Sequence, residues 1–130
     1  MSLTITALYT GLFILLLLAL AANVVRNRLS GHVSLGDGGN PSLQKAVRAH
    51  GNATEYVPIV LIGLAVLENL GTSATLLHLY GSGLFIGRLL HAWGLARPST
   101  VNLGRQSGIV ITWVVMLTMG LQLIWRSLVH

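Results

Sequence analysis

Apolar residues in this chain run on in long blocks. Residues 1–25 carry no charge, and their centre, Leu12-Phe13-Ile14-Leu15-Leu16-Leu17-Leu18, has no polar position at all. Such a block predicts a membrane-spanning helix, because about 20 apolar residues at 1.5 Å rise each cross the hydrocarbon core. Ala19-Leu20-Ala21 resembles the cleavage site of a secretory signal, but no Lys or Arg precedes the apolar stretch. Arg26 and Arg28 follow it instead, as they do after a retained helix. Residues 30–40, with Gly36-Asp37-Gly38-Gly39, read as a turn-rich loop. Asn40-Pro41 then opens a helix, since Asn is a favoured N-cap and Pro is tolerated where the backbone N–H has no helical partner.

A second span is expected over about 43–67, although its first half carries Lys45, Arg48, His50, Asn52 and Glu55. Pro58 inside it removes one backbone hydrogen bond and predicts a kink, which membrane helices tolerate when neighbours satisfy the freed carbonyl. Asn69-Leu70-Gly71-Thr72-Ser73 makes a short turn. A third span, about 74–95, is interrupted by Arg88 and His91 and ended by Arg97-Pro98. A fourth, about 106–125, is uncharged up to its interfacial end at Trp125-Arg126. The pattern predicts an all-α integral membrane four-helix bundle forming a single domain over 1–130.

Composition strengthens this assignment. The chain is 53% hydrophobic and only 8% charged, against about 25% charged in soluble domains, so most side chains have lipid as their solvent. A net charge of +5 and a pI near 10.9 would suit a nucleic-acid protein. The 8 Lys and Arg are scattered along an apolar chain and make no dense stripe, so the expected partner is the bilayer, with no nucleic acid. The loops after spans one and three fall on the same side and collect Arg26, Arg28, Lys45, Arg48, Arg97 and Arg105, whereas Arg126 beside Glu68 marks the other. The positive-inside rule puts those two loops in the cytoplasm and both termini outside. With no cysteine, the protein has no thiolate nucleophile or disulfide of its own. His32, His78 and His130 stand alone without metal-ligand spacing, so no metal is expected. Tyr9, Tyr80, Trp93, Trp113 and Trp125 are expected at the interface or in packing, and Lys45 and Arg97 at anionic lipid.

Arg48, Asn52 and Glu55 are spaced i, i+4, i+7 and fall within about 60° on one helix face. Arg88 and His91 form a second stripe near the same end. Charges inside a membrane helix cost roughly 2.5 to 3.5 kcal/mol when central and therefore need a common reason. Two roles fit. Arg48 and Glu55 could pair and pin the bundle while Asn52 and His91 bond across helices. Alternatively, the excess of arginines over Glu55 could form a cationic pocket for a small anion entering from the cytoplasm.

Arg48-Ala49-His50-Gly51-Asn52-Ala53-Thr54-Glu55-Tyr56-Val57-Pro58 resembles the R-A-x-x-N-x-x-E-x-x-P signature on the second helix of the MAPEG family. These are the membrane-associated proteins of eicosanoid and glutathione metabolism, which include microsomal glutathione transferases, leukotriene C synthase and microsomal prostaglandin E synthase. The resemblance covers nearly the whole chain and points to a bacterial-type member. It implies a homotrimer in an inner membrane, with glutathione as cosubstrate held between subunits near the cytoplasmic face. It further implies glutathione contacts from Arg26 or Arg28, and from Arg48, Asn52, Glu55, Tyr56, Arg88 and His91. Glutathione has two carboxylates for arginines to grip and one ammonium for Glu55 to accept, with a peptide within reach of Asn52. Two positions depart from the relatives: a span-three tyrosine is Leu95 here, and the thiol-activating arginine falls on Asn102 by ungapped counting. Arg105, one turn later, becomes the catalytic candidate.

The resemblance thus implies an enzyme that conjugates glutathione to a lipophilic electrophile or reduces a lipid hydroperoxide. The alternative is a non-catalytic ligand-binding or scaffold protein of the same fold, which the two departures favour. A four-helix multidrug exporter ranks last, because such exporters need a carboxylate in the first span and none is present here.

Overall fold

The computed structural model of the chain describes residues 2–99 and 101–129; His130 therefore lies outside the described residues. Four helices follow one another: α1 (Thr4–Gly31), α2 (Pro41–Asn69), α3 (Ala74–Ala96) and α4 (Leu103–Val129). Among the described residues there is no strand. Asn40 caps α2 as its sequence predicts, its side chain accepting from Ser42 N at 3.0 Å and Leu43 N at 3.2 Å, with Pro41 in the first turn. The helix runs unbroken through Pro58. α1 extends past the expected end of its apolar block to Gly31, where His32 closes it in the left-handed conformation (φ 53°).

Cross-helix contacts fix the directions. Glu68 near the end of α2 meets Ile5 and Thr6 at the start of α1, and Lys45 near the start of α2 meets the end of α3 at Arg97. Tyr80 of α3 donates to Gln122 of α4 at 2.7 Å. The helices therefore run up, down, up, down. Phe13, Val57, Leu64, Leu77, Leu84 and Met119 fill the centre, while Ile14, Leu15, Leu18, Leu117 and Leu121 face outward, each at least 60% exposed. An apolar exterior on this scale needs lipid against it.

α1, α2 and α4 are each long and apolar enough to cross a membrane. The 23 residues of α3 span about 34 Å at 1.5 Å per residue, but its most apolar membrane-length stretch falls short of those in the other three. The helix also turns two ionisable residues inward, with Arg88 and His91 both buried. Four spans are expected from the sequence, the third interrupted by Arg88 and His91; α3 depends on its neighbours for the hydrogen bonds of Arg88. Its seam with α4 is made by glycines. A Cβ on Gly94 would lie 2.2 Å from Arg105 N, and one on Gly108 would lie 2.5 Å from Gly87 O, so no side chain fits at either.

Candidate functional site

At the end of the bundle where α2 and α4 begin and α3 finishes, a groove opens between α2 and α4. Two adjoining clefts make it up. One, of about 290 Å³, is lined by Gln44, Lys45, Arg48, Asn52, His91, Leu95 and Arg105. The other, of about 370 Å³, is lined by Asn52, Tyr56, His91, Val101, Arg105, Gln106, Ile109 and Trp113. Asn52, His91 and Arg105 belong to both, so the clefts are continuous. α2 supplies one wall and α4 the other, with His91 of α3 as floor, only 6% exposed.

Arg48 and Glu55 lie on the same face of α2, with Nη1 and Oε1 3.6 Å apart and side chains 57% and 54% exposed. Both partners sit on one helix, so the pair cannot pin two helices together within the protomer. Its exposure limits it to about 0 to 1 kcal/mol in any case.

Arg88 lies behind this wall and is 2% exposed. Its Nη2 donates to Thr112 Oγ1 at 2.7 Å and Gly108 O at 3.2 Å, its Nη1 donates to Asn52 Oδ1, and its guanidinium lies 5.3 Å from the Tyr56 ring centroid. The pairing of Asn52 with His91 across helices is therefore corrected. Arg88, one turn before His91, reaches Asn52 first because a guanidinium extends further than an imidazole. Arg88 lines neither cleft, unlike the other residues named for α2 to α4, except that Glu55 stands just outside on the exposed face. Tyr56 lines the groove, and its hydroxyl oxygen accepts from Trp113 Nε1 at 3.2 Å.

The two arginines of α1 part company. Arg28 Nη1 donates to Gly36 O at 2.7 Å and Val33 O at 3.5 Å, clamping the loop after α1. Arg26 donates to Asn23 Oδ1 at 2.8 Å and lines a third cleft, of about 260 Å³, with Asn27, Ser42 and Lys45; it meets the Arg48 cleft at Lys45 and Leu95. Within one protomer Arg26 and Arg48 therefore line different, adjoining clefts. Lys45 is more than a lipid contact: its Nζ donates to Arg97 O at 2.9 Å and Pro98 O at 3.5 Å, satisfying the end of α3. Arg97 stacks on Trp93 at 4.1 Å.

Asn102 has a structural task. Its Nδ2 donates to Gly94 O at 2.7 Å and to Ser99 O at 2.5 Å, and its Oδ1 accepts from Arg105 N at 3.0 Å, which caps α4. Arg105 consequently starts on the first turn of α4 and faces the groove. Sequence inspection missed Thr112 and the Gly104-xxx-Gly108 spacing, although small residues four apart in a membrane helix signal close packing. It also treated His78 as solitary. His78 Nδ1 lies 3.0 Å from Tyr9 Oη, whose hydroxyl also contacts His78 O at 3.1 Å, and no sequence signal links residues 69 positions apart.

Fold and groove together define a class, an integral membrane α-helical bundle with a cation-rich polar groove at one end. The sequence profile described as the MAPEG family matches residues 6–125, and the chain belongs to that family. It is also 39% identical over 121 residues to the Inner membrane protein YecN of Escherichia coli (strain K12), covering 93% of this chain and 91% of that protein. The Inner membrane protein YecN of Escherichia coli O6:H1 strain CFT073 matches to the same extent. No solved structure matches the chain.

Proposed function

We infer that the groove holds glutathione and that the protein transfers its thiolate to a lipophilic electrophile or uses it to reduce a lipid hydroperoxide. The observation that carries this function is the exposure of Arg48, paired with Glu55 at the rim, in a groove also lined by Arg105. Opposite charges left unburied on a membrane helix suit a small zwitterion with two carboxylates and one ammonium better than lipid. A carboxylate of glutathione would meet Arg48 and its ammonium would meet Glu55, which leaves Arg105 for the thiol. A cysteine thiol titrates near 8.5, so the Arg105 guanidinium beside it would raise the thiolate fraction at neutral pH. The acceptor would enter from lipid along the α2–α4 seam, which continues past Trp113 as an apolar cleft between Ile59, Gly63, Met116 and Met119.

An exposed charged face on α2 also needs cover, which a homotrimer would supply by setting a neighbour against it. That neighbour's Arg26 would then be the α1 contribution to the ligand. The inner membrane is the proposed location, with both termini outside. Incubation of the purified protein with glutathione and a generic aryl halide tests catalysis. Conjugation above the solution rate, lost in Arg105→Gln, is expected. Glutathione binding without conjugation would instead favour a non-catalytic ligand-binding role, for which Leu95, 5% exposed where relatives carry tyrosine, is the specific support.

A further inference from the structure

Asn52 and Tyr56 each have a side chain that can both donate and accept, yet each is met by a group that can only donate, Asn52 from behind the groove wall and Tyr56 from within it. Arg88 Nη1 bonds to the amide of Asn52, and a guanidinium has no acceptor, so Asn52 must turn its oxygen inward. Its NH2, which has no partner among the described residues, is left on the groove side of the planar amide. Trp113 Nε1 bonds to Tyr56 Oη, and an indole likewise only donates, so the Tyr56 oxygen accepts and keeps its own proton to give. Arg48 and Arg105 can only donate as well.

We propose that Arg88 and Trp113 are positioning residues that set the polarity of the groove, making the Asn52 NH2 an obligatory donor and leaving the Tyr56 hydroxyl with its proton to give. The site then selects a ligand that presents carbonyl or carboxylate oxygens to this wall and places its single cationic group at Glu55. The burial of Arg88, at 2% exposure, makes the bias firm. Its bonds to Thr112 and Gly108 O hold the guanidinium while Nη1 faces Asn52. This deepens the glutathione assignment and rests on it for the identity of the ligand, assigning Asn52 to a peptide carbonyl and excluding a peptide N–H there. The polarity itself concerns any oxyanion.

Asn52→Asp tests it, because the substitution conserves shape, keeps an oxygen for Arg88 and replaces the groove-facing NH2 by a second acceptor. Titration calorimetry of the intact protein in detergent should be run with glutathione and, separately, with glutarate, a dicarboxylate lacking peptide and thiol. Asn52→Asp should weaken the binding of both by roughly tenfold to a hundredfold, with ligand-free melting no lower than wild type. Arg88→Gln, which can offer Asn52 either a donor or an acceptor, should weaken binding too. Arg88→Lys, again a pure donor, should recover most of the affinity. Melting of each variant without ligand separates this from a packing role, in which affinity would fall only as stability falls. Wild-type affinity in Asn52→Asp would overturn the polarity assignment and leave the glutathione assignment standing. A wild type that binds glutarate but not glutathione, with glutarate binding lost in Asn52→Asp, would support the polarity and overturn glutathione. A wild type indifferent to both would overturn both.

Discussion

Glu55 and Arg48 face one another across two turns of a single helix at 3.6 Å, and more than half of each side chain is open. Such a pair does little for the protomer, so Glu55→Gln should change the melting of the ligand-free protein by no more than about 0.5 kcal/mol. Glu68, at the other end of α2, behaves differently. Its carboxylate oxygens accept from Ile5 N at 2.9 Å and Thr6 N at 2.7 Å, supplying from a neighbouring helix the cap that α1 lacks locally. Glu68→Ala strands two N–H groups at a helix start and should cost about 1 to 3 kcal/mol, read as a lowered melting temperature with helicity retained. The sequence already marks both glutamates as rare charges, and the spacing of 48, 52 and 55 shows which three share a face. It does not distinguish a charge turned outward from one turned inward, so nothing in it marks the enclosure of Arg88, which the family resemblance groups with the ligand contacts. Periodicity reports angle about an axis, and what stands opposite that angle depends on the packing of the other helices.

Helix limits were largely legible because their punctuation is chemical: Asn40-Pro41 starts α2, and Arg97-Pro98 stops α3. The mutual approach of α3 and α4 was less so, since it is carried by residues without side chains. Gly108→Val would drive its side chain into Gly87 O and His91 N, each 2.5 Å from the position of a Cβ, and must part the helices. A loss of about 1 to 3 kcal/mol is expected from such overpacking. The displacement would also move Arg88, whose Nη2 bonds to Gly108 O, and so loosen the groove wall. Gly11, on the exposed side of α1 with nothing within 4 Å of a Cβ, is the control, and Gly11→Ala should leave unfolding unchanged or slightly raised. Equal losses at Gly11 and Gly108 would contradict the close α3–α4 seam.

For the molecule as a whole, the positive-inside rule predicts a cytoplasmic groove end from the basic residues collected there. A reporter in the loop near Asp37 should be accessible from within the cell and one at either terminus from outside it; a cytoplasmic terminus would reverse the orientation. The open, charged flank of α2 predicts association, and mass measurement in detergent should return three copies. The central claim is that the groove holds glutathione, and melting of the wild-type protein in detergent across a glutathione series tests it most directly. Ligand that binds only the folded state stabilises it by RT ln(1 + [L]/Kd), about 2.7 kcal/mol at a hundredfold excess over Kd. The account predicts a melting temperature that climbs with glutathione to that extent and that climbs far less in Glu55→Gln. A wild type whose melting is indifferent to millimolar glutathione would contradict it and leave Arg48 and Glu55 as a surface ion pair alone.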